Sequence, residues 1–160
     1  KKDIGVFVAP PGSGKTIVGI YAIAKRRTNT LILVHRKPLI EQWRMRLSSF
    51  LGLDLKTKKR KEILQELAHS SQNKKKAILA TGAYIGEGFD DPRLDTLFIT
   101  MPVSFKGKLV QYAGRLHRDY PGKKDVQIYD YADKEVSVLW NMYQKRLKTY
   151  RNIGYFIKEG

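Results

Sequence analysis

The stretch Ala9-Pro10-Pro11-Gly12-Ser13-Gly14-Lys15-Thr16 constrains this chain more than any other, because of what flanks it. Before it runs an apolar segment, Ile4-Gly5-Val6-Phe7-Val8, and after it a helical pattern from Ile17 to Ala24. A strand, a glycine-rich turn and a helix start, in that order, aim backbone N–H groups and the positive end of a helix at an anion. Gly12 and Gly14 let the backbone curl around phosphate oxygens, with Pro11 and Ser13 completing the turn. Lys15 is placed to reach the β- and γ-phosphates, and Thr16 offers a hydroxyl to Mg²⁺. The expectation is a nucleoside triphosphate, ATP with Mg²⁺, bound at residues 11–16.

At 160 residues, 42% of them hydrophobic, the chain is long enough for one domain with a real core. Its formal net charge of +16 calls for a polyanionic partner. Nucleic acid is preferred to a membrane, since no apolar run approaches the ~20 residues of a membrane span. The absence of cysteine excludes disulfides and thiolate metal sites, and it suits a reducing cytoplasm, the expected location. No secretory leader is evident, and an opening at Lys1-Lys2 without Met is what a fragment or trimmed chain would show.

Strand-like runs recur at Ile4–Ala9, Leu31–Val34, Ala77–Ala80, Thr96–Met101 and Val126–Tyr131. Most are continuously apolar, as strands buried on both faces of a parallel sheet should be. Helical stripes separate them. Leu39, Ile40, Trp43, Leu47 and Phe50 form one; Ile63, Leu64 and Leu67 form a second; Leu109, Ala113 and Leu116 form a third. Val136, Leu139, Trp140, Tyr143, Leu147 and Tyr150 line a final helix whose other side is expected to carry Lys145, Arg146, Lys148 and Arg151. Alternation of strand and helix predicts an α/β fold with five parallel strands and helices on both faces. The basic runs Lys56–Lys61 and Lys74–Lys76 are candidate contacts to a phosphate backbone.

Four islands, in order, resemble motifs of superfamily 2 helicases of the DEAH/XPB-like branch. Ala9–Thr16 resembles motif I. Leu31–Trp43, with His35, Arg36, Lys37 and Gln42, resembles motif Ia. Ala80–Pro92, with Thr81, Gly82, Gly86, Gly88 and Asp90, resembles motif V. Gln111-Tyr-Ala-Gly114-Arg115-Leu-His117-Arg118 matches the Gln-x-x-Gly-Arg-x-x-Arg pattern of motif VI. The resemblance implies a RecA-like P-loop fold and a parent activity of ATP-driven translocation on, or unwinding of, DNA or RNA. It implies that Arg115 and Arg118 act as arginine fingers on the γ-phosphate, with Gln111 approaching the same site. It further implies that Asp90 couples to the nucleotide or the fingers, and that His35, Arg36, Lys37, Thr81 and Gly82 contact the backbone of a single strand. Trp43 reads as core packing and His117 as structural.

The resemblance is incomplete. No Asp-Glu pair occurs anywhere in the chain, so motif II is missing, as is motif III. Trp43 and Ala80 lie only 37 positions apart, although motifs Ia and V belong to separate lobes in the family. Residues 1–50 resemble the start of lobe one and residues 61–160 the end of lobe two, joined by a basic stretch at 51–60, the whole forming one RecA-like domain. A longer helicase whose internal residues are missing from this sequence, a deletion product and a condensed single-lobe protein all fit this pattern. In a single lobe, motifs I and VI either share one sheet edge or meet across a homodimer that completes the ATP cleft. Without a carboxylate to hold the metal and another to orient water, binding is expected to outlast hydrolysis. The chain would then be a catalytically silent nucleic-acid-binding module. Asp130 and Asp91 are the weak alternatives for a metal carboxylate.

Overall fold

Two short runs, β2 (Thr30–Val34) and β4 (Thr96–Ile99), are buried at every position and form the middle of the sheet. Their alternate side chains feed opposite layers, Leu31, Leu33, Leu97 and Ile99 to one and Ile32, Val34 and Phe98 to the other. Continuous hydrophobicity in these runs is therefore the sign of a sheet covered on both faces. The computed structural model describes residues 2–8, 14–53, 60–69, 74–85, 89–100, 102–103 and 106–159.

The remaining strands are β1 (Lys2–Val8), β3 (Ala77–Thr81), β5 (Val126–Ala132) and β6 (Phe156–Glu159). All neighbours pair parallel, in the order β3-β2-β4-β5-β1-β6. Among the described residues the sheet thus has six strands rather than the five expected. The sixth, β6, has four residues and an exposed Phe156, too short and too open to register as an apolar run.

Helices α1 (Lys15–Arg26) and α2 (Lys37–Leu51) cover one face through Ile20, Ile23, Trp43 and Leu47. Phe50, expected on the α2 stripe, is instead exposed. The other face carries α5 (Lys106–Leu116) and α6 (Ser137–Asn152), which bury Leu109, Tyr112, Ala113, Leu116, Tyr143, Leu147 and Tyr150. Two further helices, α3 (Arg60–His69) and the single turn α4 (Gly82–Ile85), flank β3 in sequence. Arg26 in the last turn of α1, where a cation suits the helix dipole, reaches across the amino edge to Thr96 (2.9 Å) and Asp125 (2.9 Å). Among the described residues no helix is long and apolar enough to cross a membrane.

Arg146 is the main departure in the helical layer. It was expected on the solvent side of α6 but is buried, because it lies three and four residues from Tyr143 and Tyr150 on the inward face. Its guanidinium binds both oxygens of Asp130 (2.7 and 2.8 Å) and the Val103 carbonyl (3.0 Å), and Tyr150 donates to Asp130 (2.8 Å). Burial works against the Arg146 charge, but Asp130 and its hydrogen bonds outweigh that and hold the guanidinium pKa above its usual value. Burial, followed by the Asp130 charge, pushes the Tyr150 hydroxyl well up.

Candidate functional site

Every strand of a parallel sheet delivers its following loop to the same edge, so the carboxyl edge gathers residues far apart in sequence. Beyond β1 the described chain resumes at Gly14. Pro11, Gly12 and Ser13 lie outside the described residues. Gly14 caps α1 with φ 80°, a left-handed conformation that favours glycine, and its carbonyl accepts from Ile17 (2.8 Å) and Val18 (3.2 Å). Lys15 and Thr16 open the helix and are half-buried.

The end of β5 holds this turn in place. The Tyr131 hydroxyl donates to the Lys15 carbonyl (2.8 Å), and Lys15 Nζ stands 3.8 Å from Asp133 Oδ2. Asp133 is buried, and its other oxygen accepts the Glu135 N–H (3.1 Å). The helix approaches so closely because residue 19 is glycine: a Cβ there would run into the Tyr131 hydroxyl and lie 2.8 Å from the Trp43 ring. Trp43 is 3% exposed, so it is core. Asp133 escaped the sequence reading, since nothing local ties it to Lys15.

Three strand positions away, β2 and β3 present the second group. Val34 aligns with Thr81 in the parallel register, so exposed His35, Arg36 and Lys37 emerge beside half-buried Thr81 and Gly82. Tyr112 on α5 donates to the Gly82 carbonyl (3.2 Å), and Thr100 ties the end of β4 to the Leu33 carbonyl of β2 (2.8 Å). Of the basic runs, Lys56–Lys59 lie outside the described residues. Lys74–Lys76 precede β3 at the opposite, amino edge, where the Lys76 carbonyl accepts the Thr30 N–H (2.8 Å). Gly86 and Gly88 of motif V also lie outside the described residues.

The third group is α5 with residues 89 and 90. Arg115 donates to the Phe89 carbonyl, and Arg118 pairs with Asp90 (3.2 Å). Gln111 is exposed on α5. Lys123, three residues before β5, donates to the Leu116 (2.8 Å) and Arg118 (2.7 Å) carbonyls, fixing this end of α5 at the amino edge. Burial there pushes the Lys123 ammonium below its usual range, and Asp95, Asp119 and Asp91 oppose the shift.

Motifs I and VI therefore do not share a sheet edge. Helix α5 leaves β4 at the carboxyl edge and must run back along the sheet, which carries Arg115 and Arg118 to the amino edge. Lys15 sits at the carboxyl edge on the opposite face. The strand β5 alone separates the edges by about 20 Å, at roughly 3.3 Å per residue. The alternative carboxylates are also taken: Asp130 is locked to Arg146, and Asp91 to Arg93 (2.8 and 2.9 Å). No group of three or more His, Asp or Glu able to hold a metal ion occurs among the described residues.

The chain is similar to known proteins in both sequence and fold. The family described as type III restriction enzyme, res subunit, matches residues 1–130. The putative DNA 3'-5' helicase Rad25 of Haloarcula marismortui is 55% identical over 40 residues, 25% of this chain and 6% of that protein. Putative helicase 161L of Invertebrate iridescent virus 6 is 36% identical over 85 residues, 52% of this chain and 18% of that one. The alignments thus span only a small part of these relatives. The C-terminal domain of the DEAD-box protein Dbp5 superposes with a TM-score of 0.71, covering 99% of this chain and 88% of that one at 17% identity. The fold is RecA-like.

Proposed function

Because the chain belongs to the family of the type III restriction enzyme res subunit and is helicase-related, we propose that it binds ATP with Mg²⁺ at residues 11–16 and a nucleic-acid backbone at the β2–β3 edge. The observation that carries the reading is the Val34–Thr81 register, which sets His35, Arg36 and Lys37 beside Thr81 and Gly82 from the other half of the sequence. Arg36 and Lys37 supply charge to phosphates, while Gly82 has no side chain to hold a ligand off. Such contacts position a strand without reading its bases, so DNA and RNA, single strands above all, are both candidate partners.

The loop chemistry suits the cofactor. Gly14 adopts the conformation the turn needs, Lys15 supplies a cation, and Thr16 follows it with a hydroxyl for the metal. Bound ATP with Mg²⁺ would supply the phosphoanhydride and neutralise part of its charge. The chain's own task is to grip the phosphates and position the strand, and without an Asp-Glu pair it turns ATP over negligibly. That absence favours a second reading, a silent nucleic-acid-binding module.

Arg115, Arg118 and Gln111 act, on this reading, on a nucleotide held elsewhere. Within one chain they face away from Lys15, so a second copy of the chain would have to bring its α5 end to the Lys15 edge. Such a contact is head-to-tail rather than two-fold, because its two surfaces lie on opposite faces and edges of one domain. A cytoplasmic setting suits a chain without cysteine.

Binding and turnover are measured together, with and without polynucleotide. Calorimetry should show Lys15→Ala weakening ATP roughly ten- to a hundred-fold, the loss of one charge-assisted contact. Polynucleotide affinity should fall with log salt at a slope of roughly −3 to −5, for about four to six neutralised phosphates. Equal ATP affinity in the variant, or salt-independent nucleic-acid binding, defeats the proposal. Polynucleotide-stimulated hydrolysis defeats the silent reading and, with it, the expectation of negligible turnover.

A further inference from the structure

We propose that Asp133 is the carboxylate that holds the hydration shell of a magnesium ion on a nucleotide at Lys15–Thr16, in place of the acidic pair the sequence lacks. The inference rests on the phosphate-loop reading above and goes beyond it by assigning a residue outside every helicase-like motif.

Position is the first argument. β5 lies directly beside β1 in parallel register, with Val8 opposite Ala132, so the residue after Ala132 emerges beside the carboxyl end of β1. The strand alternates: Ile128 and Ala132 join the α5–α6 layer, where Asp130 meets Arg146, whereas Tyr129 and Tyr131 join the α1–α2 layer. Asp133 contacts Lys15, and Tyr131 contacts the same residue's carbonyl. Two carboxylates three residues apart thus have opposite fates, one closed off by α6 and the other turned to Lys15.

Geometry is the second. The Asp133 side chain is 10% exposed, a costly place for an uncompensated carboxylate. The Glu135 N–H anchors Oδ1, which leaves Oδ2 toward Lys15. At 3.8 Å that ion pair is well beyond the 2.7–2.9 Å typical of a charge-assisted hydrogen bond. It is loose enough to open when a triphosphate takes the ammonium. The oxygen then released has a matching use, since Mg²⁺ keeps several waters and is bound through one or two carboxylates plus substrate phosphates. The two other carboxylates considered for a metal are closed off, Asp91 by Arg93 and Asp130 by Arg146.

The test is the affinity of a non-hydrolysable ATP analogue, measured with magnesium and with EDTA. In wild type, magnesium should tighten binding. Asp133→Asn should remove most of that gain, about ten- to a hundred-fold, as loss of an outer-shell ligand does. Affinity in EDTA should hold or rise, because a negative group beside the phosphates has gone. Asp133→Ser, which can still accept from the Glu135 N–H, should behave alike, whereas Tyr131→Phe should keep the magnesium gain. An equal loss in both media means a merely structural salt bridge and overturns the proposal, as does a magnesium gain that survives in both Asp133 variants. Wild-type binding without any magnesium gain overturns the role of Asp133 alone. No wild-type binding in either medium overturns the phosphate-loop reading, and this inference with it.

Discussion

Three of the arginine–aspartate pairs among the described residues sit at three different depths, and they differ in what they can do. Arg146–Asp130 is closed off between α6 and the sheet, with side chains 4% and 0% exposed. Arg26–Asp125 straddles the amino edge, at 14% and 32%. Arg118–Asp90 stands in solvent, at 63% and 48%. The first is saturated with hydrogen bonds and has no capacity left for a ligand; the last is screened by water and can exchange partners. Among identical residue types, solvent access separates an internal clamp from a group able to meet a phosphate.

The buried pair should be the most sensitive to damage. Arg146→Ala leaves Asp130 charged in the core with only Tyr150 beside it, a change expected to cost about 3–5 kcal/mol. Denaturant unfolding should show it, and replacing both partners with apolar residues should cost much less, since no charge is then stranded. A loss below ~1 kcal/mol for Arg146→Ala would dissolve the contrast between the pairs.

Gly19→Ala tests the tight seam beneath Lys15 on the opposite face. The new methyl meets the Tyr131 hydroxyl and the Trp43 ring, an overpacking cost of about 1–3 kcal/mol, partly offset by better helix propensity. Shortening the obstacle in Gly19→Ala/Tyr131→Phe should recover part of the loss. Full stability in the single variant would mean that α1 can lift off β5.

The half-buried pair should show itself through pH. The hydrogen bond from Arg26, with its charge, holds the Asp125 carboxyl below the usual carboxylate range. A depressed folded-state pKa stabilises above the unfolded value, and that contribution is lost as pH falls through the folded one. Stability should therefore decline below about pH 4, and Arg26→Met should flatten that part of the acid limb. Partial exposure keeps the effect modest, and an unchanged acid limb in Arg26→Met would assign the decline to other carboxylates.

Arg118→Ala should be the mildest for folding, within about 1 kcal/mol, as for exposed ion pairs generally. Its unfolding midpoint should match that of wild type. A large loss would place Arg118 with Arg146 as a folding residue and remove the case for a mobile phosphate contact.

Much of this architecture was readable in advance, and the failures have identifiable causes. β2 and β4 were legible because burial on both faces demands uninterrupted apolar residues. Arg146 carried a signal that charge obscured, since it falls on the same helical stripe as Tyr143, Leu147 and Tyr150. β6 carried none, being four residues at an open edge. The contact of Asp90 with Arg118 is the coupling to a finger that the resemblance implied, whereas no local pattern showed that neither residue reaches Lys15.

By itself the sequence determined the alternation of strand and helix, the strand–loop–helix at Lys15 and the lack of an acidic pair. These are properties of neighbouring residues, and local periodicity and turn chemistry suffice to express them. Tertiary structure alone decided that Arg115 and Arg118 lie at the edge away from Lys15, because a helix leaving a parallel strand must travel back along the sheet. It also decided which aspartate meets Lys15. Strand order puts β5 beside β1, and the twofold alternation of β5 sends Asp130 to α6 and leaves Asp133 to Lys15. Contacts of that kind depend on which strands become neighbours, a choice made by packing the whole sheet rather than by any segment of it.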